Sequence, residues 1–236
     1  MSLFHDVIAK IEHEYIRLGH QLGWRFLGVK RSNLSPSTKI LLITANPGGD
    51  YIPKDHATAS CEKGSAYIVE RWKDLPPGQE SLQKQVRSLF SAISGQLNNG
   101  TEGDDLLEQS LIAYFIPFRS PELKKLTRPQ DSFAFASKLW AQIFLEIRPR
   151  LVITIDTKTY PAIREIISNA TGAPIVASSF LPTGWGSYQA TLDEFRSQSY
   201  QSILVRLPHL SRFKLFTRLK CHDSVHAILA RACVYL

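Results

Sequence analysis

Three observations predict an α/β fold: a three-layer α/β/α sandwich around a central, mostly parallel four-stranded sheet. Short apolar runs read as buried strands at residues 39–44, 111–116, 151–155 and 202–207, with a shorter candidate at 174–177. Stretches of helical period separate them, and turn-forming residues stand where the runs end. The alternation implies βαβ units with helices on both faces, and places the strand-end loops along one edge of the sheet.

Each element has a local reason. Phe4, Val7, Ile8, Ile11, Tyr15, Leu18 and Leu22 recur at helical spacing behind Ser2, a capping residue type. An amphipathic helix therefore opens the chain, with His5, His13 and His20 expected on its surface. The first strand breaks into Asn46-Pro47-Gly48-Gly49-Asp50, and an irregular loop follows to about residue 60. Loops of that length are usually functional or disordered, and a start at a strand end favours function. Leu82, Val86, Leu89, Phe90, Ile93 and Leu97 give a second helix, which Asn98-Asn99-Gly100 stops. The run at 111–116 ends at Pro117, so Pro117-Phe118-Arg119-Ser120-Pro121 forms a second strand-end loop. Residues 129–147 are helical, apolar over much of their circumference, and end at Pro149. After the third strand, Asp156 caps a helix through Ile163, Ile166 and Ile167 that Gly172 closes. The last strand leads into Pro208-His209-Leu210-Ser211-Arg212-Phe213, and one or two helices finish the chain.

With 236 residues, 44% of them hydrophobic, the chain can bury a full core as one domain spanning 1–236. It shows no apolar run long enough for a bilayer and no signal peptide, so a cytoplasmic monomer without membrane contact is expected. Three scattered cysteines, Cys61, Cys221 and Cys233, fit reduced thiols better than a disulfide framework or an iron–sulfur cluster. A net charge of +7 points to a polyanionic partner, since phosphates are bound through Lys and Arg. Neither Cys221-His222 with His226 nor Asp55-His56 with Cys61 has the spacing of a zinc site, so no metal and no cofactor is expected. Without a Gly-x-Ser-x-Gly elbow, a Walker loop or a dinucleotide fingerprint, serine hydrolase, NTPase and dehydrogenase readings lack support.

Ala45-Asn46-Pro47-Gly48 after the first strand and His209-Leu210-Ser211-Arg212 after the last resemble the paired motifs of the uracil-DNA glycosylase superfamily. There an Asn-Pro-Gly or Asp-Pro-Tyr turn follows the first strand and a His-Pro-Ser loop the last. Between them, Tyr114-Phe115-Ile116-Pro117-Phe118 resembles the strand that brings an Asn to the target base, and Arg148-Pro149-Arg150-Leu151-Val152 resembles the Lys-Pro entry into the third strand. The likeness covers residues 39 to 216 and is similar to the cluster-free, Asn-Pro-Gly branches.

The resemblance implies an N-glycosidic bond cleaved in DNA. Such cleavage builds positive charge on the sugar and negative charge on the departing base, which calls for an oxyanion donor and a positioned water. By resemblance His209 donates to the base carbonyl and Asn46 orients the water. Ala45, Pro47, Gly48, Tyr51, Tyr67, Tyr114 and Phe118 would line the base pocket, with Tyr51, Tyr67 and Phe118 as aromatic faces for a flipped base. Gly49, Arg119, Ser120, Leu210, Ser211, Arg212, Phe213 and Lys214 would meet the DNA. Of these, Leu210, Arg212 or Phe213 would fill the vacated stack, and Arg119 and Lys214, with Lys124, Lys125, Arg128, Arg218 and Lys220, would meet phosphates.

Two positions depart from the pattern. Tyr114 stands where the family carries the base-reading Asn, offering one rotatable hydroxyl in place of a fixed donor and acceptor, so uracil specificity does not carry over. Leu210 replaces the middle Pro of His-Pro-Ser. Plainer roles stand beside the chemical ones: Asn46 as a turn former, His209 as a satisfied structural histidine, and Arg119 as a donor to loop carbonyls. The alternatives in function are a non-catalytic nucleic-acid or nucleotide binding module on the same fold, and a hydrolase of a free nucleoside or modified metabolite.

Overall fold

The computed structural model describes residues 2–236. In chain order its elements are α1 (Leu3–Arg17), β1 (Ile40–Thr44), α2 (Ala66–Val69), α3 (Ser81–Leu97), α4 (Gly103–Gln109), β2 (Leu111–Tyr114), α5 (Pro129–Glu146), β3 (Leu151–Thr154), α6 (Thr159–Thr171), β4 (Ile175–Pro182), β5 (Gln189–Arg196), β6 (Gln201–Arg206) and α7 (His222–Ala232). The strands form one sheet in the order β2-β1-β3-β6-β5-β4. The first four are parallel, with Thr44 opposite Tyr114, Ile43 opposite Thr154, and Thr154 opposite Arg206. All residues of β1 and β3 are buried, as expected of strands covered on both sides.

The fold is α/β, but the expected four strands become six. β5 pairs antiparallel with β6, and β4 antiparallel with β5, extending the parallel part at one side. The candidate strand at 174–177 is the start of a longer one. β4 alternates half-buried and exposed residues as an outermost strand does, and so lacks the continuous apolar run that marks a covered strand.

The chain runs from β1 to β2 on one side, then crosses back to β3 on the other side of β1. The helices pack in two groups, α3 with α4 and α7, and α5 with α1 and α6, as right-handed crossings in opposite directions require. This reversal between β1 and β3 is the position at whose carboxyl ends open α/β sheets bind ligands.

Local chemistry explains most element ends. The capping box of α3 pairs Glu80 with Gln83, and Asn98 in the left-handed conformation stops the helix as expected. α4 follows, unforeseen because its short sequence has only Leu106 and Leu107 to bury. α5 opens with Pro129 at its first turn, and Trp140 donates its indole N–H to the Phe115 carbonyl at 3.0 Å inside the core. α1 stops at Arg17, short of Leu22, since the chain turns at Gly19 with φ +73°. Ser2 occupies the N-cap position without a capping bond. His20 is not on the surface: it is buried, bonded to the Ser132 hydroxyl at 3.0 Å and stacked on Phe118. A single apolar cluster runs through all six strands and both groups of helices. No helix among the described residues is long and apolar enough to cross a membrane.

Candidate functional site

The register puts Asn46, Asp156 and His209 just beyond three adjacent strands, β1, β3 and β6, at one edge of the sheet. At ordinary strand spacing the outer two of these loops leave the sheet roughly 9–10 Å apart, with Asp156 between them.

The loops after β1 and β2 are laced into one unit. Phe115 N–H donates to the Thr44 carbonyl at 2.7 Å, Ile116 N–H to Ala45 at 2.9 Å, and Ser120 N–H to Pro47 at 3.2 Å. Asn46 completes the lacing: its Nδ2 donates to the carbonyls of Pro47 at 3.1 Å and Ser120 at 3.2 Å. Carbonyl oxygens only accept, so these partners fix which way the amide faces. Its Oδ1 has no protein donor among the described residues and is available to accept from a water. Arg119, 8% exposed, donates from Nη1 to the Gly48 carbonyl, while its Nε is buried without a partner. Burial lowers its pKa, only partly opposed by the hydroxyl of Tyr114 and other neighbouring groups. Gly49 has φ +87°, a backbone conformation that strains other residues, and a Cβ there would stand 3.3 Å from Arg119 Nη1.

The loop after β6 sets the state of His209. Ser211 N–H donates to His209 Nδ1 at 3.3 Å, and the Ser211 hydroxyl lies 2.8 Å from the same nitrogen. A backbone N–H cannot accept, so Nδ1 carries the lone pair and the proton sits on Nε2. The residue is exposed, yet its ring is sunk far enough that desolvation pulls its pKa below the ordinary imidazole range. Asp156 opposes this fall, and Arg212 adds to it. His209 is therefore a neutral Nε2–H donor near neutral pH. Asp156 does cap α6, accepting at Oδ1 from Lys158 N–H at 2.8 Å and Thr159 N–H at 2.7 Å. Its Oδ2 is buried without a partner, which capping alone does not explain.

The aromatic candidates fall into different places. Tyr51 is 67% exposed on the loop after β1. Tyr67 is buried, edge-on to Trp72, and Tyr114 is half-buried at the end of β2. Burial pushes both phenols up, so both stay protonated. Phe118 is fully enclosed and stacked against His20 and Phe135, so it presents no face to the sheet edge. Leu210 is likewise sealed in the core, where it anchors the His209 loop. Of the side chains considered for a vacated stack, Arg212 and Phe213 reach the surface, and Lys214 and Ser211 are exposed beside them.

Under the loop lies a charged cluster with no local sequence signal. Arg25, 2% exposed, forms a two-pronged pair with Glu70, 6% exposed, with Nη1 to Oε2 at 2.8 Å. Trp72 Nε1–H donates to Glu70 Oε2 at 3.0 Å, and His56 Nδ1 lies 3.6 Å from the same oxygen. Burial alone would raise the Glu70 carboxyl, but the hydrogen bonds and charge of Arg25 outweigh it and hold it below the usual range. The charges of Arg25 and Glu70 act on the phenols of Tyr67 and Tyr114. A concavity of about 540 Å³ lies elsewhere, between α3 and α7, lined by Leu215, Phe216 and Val225. It contains none of the motif residues. No family model and no curated protein matches this sequence.

Proposed function

We propose that this chain is a DNA glycosylase-like hydrolase on a three-layer α/β/α sandwich, acting on a damaged or deaminated base flipped out of DNA and needing no cofactor. The observation that carries the reading is the pair of groups at the carboxyl edge of the sheet: beyond β1 an Asn46 amide with a free oxygen, and beyond β6 a His209 imidazole held as a neutral Nε2–H donor. As the glycosidic bond breaks, the base leaves with negative charge, and Nε2–H donates to the carbonyl oxygen that gains it. Asn46 Oδ1 accepts from the water that adds to the sugar carbon; an amide positions this water and does not deprotonate it. Tyr67 and Tyr114 offer neutral hydroxyls to the edge of the base.

The direct assay uses single- and double-stranded oligonucleotides carrying uracil, hypoxanthine or xanthine, with abasic sites cleaved by alkali. Removing one oxyanion donor costs about 10²- to 10³-fold in rate, so His209→Ala is expected to fall by that factor. No cleavage of any lesion, or an undiminished His209→Ala, overturns the proposal. The second reading, a binding module without catalysis, is favoured by Tyr114 standing at the base-reading position. DNA binding without base release would select it.

A further inference from the structure

Because β5 and β4 run antiparallel, the turn joining them returns to the edge where the parallel strands end, next to the loop that carries His209. Three aromatic rings meet there. Trp185 and Phe213 pack edge-on with centroids 6.0 Å apart, and Tyr188 lies 4.3 Å from Phe213. The Arg218 guanidinium sits over the Trp185 ring at 4.1 Å. The tip is built rather than loose. Gly184 and Gly186 take positive φ, and the Tyr188 carbonyl accepts from both the backbone N–H and the hydroxyl of Thr183. Tyr188 N–H donates to Trp185, yet the Tyr188 side chain remains 49% exposed.

Charge accompanies the rings. Residues 195–222 contain no Asp or Glu but carry Arg196, Arg206, Arg212, Lys214, Arg218 and Lys220. Among the described residues, Arg212, Lys214, Arg218 and Lys220 form no ion pair. A solvent-facing ring held rigid beside unpaired cations has the form of a site for a polyanion whose units also stack. Single-stranded nucleic acid, with one phosphate and one aromatic face per unit, has that chemistry.

We propose that the β4–β5 tip with Phe213 is a stacking platform for unpaired bases flanking the site, so that this edge engages single-stranded nucleic acid in preference to duplex. This rests on the reading of the edge as a nucleic-acid site. A base stacks on Tyr188, and Arg212 and Lys214 meet the adjoining phosphates. A duplex keeps its bases stacked on one another and offers the ring nothing.

The test measures anisotropy of a labelled oligothymidylate, a duplex of equal length and a polyglutamate of equal charge, with wild-type protein, Tyr188→Ala and Tyr188→Phe. Tyr188 lies at an exposed tip, and circular dichroism checks that the variants keep their fold. Tyr188→Ala is expected to weaken single-strand binding about 5- to 150-fold, the loss of one stacked base. Its salt dependence should stay unchanged because the phosphate contacts persist. Tyr188→Phe should bind within about twofold, since the π-face remains. Equal affinity for duplex, equal binding of polyglutamate, or an unaffected Tyr188→Ala overturns the platform. Base release from duplex with no Tyr188 effect sinks the platform and leaves the proposed function. Tyr188-dependent binding without base release does the reverse.

Discussion

Replacing Glu70 with alanine leaves the Arg25 guanidinium buried at 2% exposure with no counter-charge. The native pair has both prongs made, and Trp72 and the Cys61 thiol also donate to the carboxylate. Removing one partner of such a pair typically costs about 3–5 kcal/mol, most of it the penalty of the stranded charge. For a chain of this length, where 1 kcal/mol moves the melting temperature about 2–4 °C, the drop should be about 6–20 °C. Removing both charges together, as Arg25→Met with Glu70→Leu, should cost less than the sum of the single changes. Urea and thermal denaturation of Glu70→Ala, Arg25→Met, Glu70→Leu, the double variant and the wild type measure all of this. A loss below about 1 kcal/mol in Glu70→Ala, or additive losses, would refute the view of the pair as a coupled buried unit. The pH dependence carries a sign as well. The folded Glu70 pKa lies below its unfolded value, so its contribution is fully present above the ordinary carboxylate range and disappears as pH falls through the folded value.

Asp156→Asn keeps an oxygen for the α6 cap and removes the charge that opposes desolvation of His209. The His209 pKa should fall further, seen as a shift of the imidazole proton resonance titration to lower pH, and an unchanged titration refutes the coupling. Gly103→Ala places a Cβ 2.5 Å from the Ser91 Cα, a backbone atom that cannot swing aside, so α4 must move off α3. A loss of about 1–3 kcal/mol in urea denaturation is expected, and a neutral result would show that the helix pair yields easily.

What the sequence made legible follows from how local each signal is. The strands at β1, β2, β3 and β6 are apolar runs bounded by turn formers, and a covered parallel strand has no other way to look. The α3 stop at Asn98 and the cap at Asp156 are short-range bonds, readable from adjacent residues. β5 stayed hidden because Gln189–Arg196 includes Asp193 and Glu194, which argue against a strand until their partners are known. Asp193 is 1% exposed and tolerated because Ser178, Tyr160 and Arg164, from β4 and α6, all donate to it. Arg25 and Glu70 are 45 residues apart and meet only in three dimensions. Phe118 and Leu210 looked available because their neighbours are loop residues. Both instead anchor their loops to the core, a distinction that depends on which way one side chain turns.

The antiparallel pair at the side of the sheet gives the edge two independent kinds of part. Loops after β1, β3 and β6 are ends of strands threaded through the core. The β4–β5 tip is a hairpin end, closed on itself by Thr183 and Tyr188. Adding or removing a pair of residues there changes how far it reaches without rethreading any strand. Chains built on this plan can therefore alter what they hold beside His209 while leaving the position of His209 untouched.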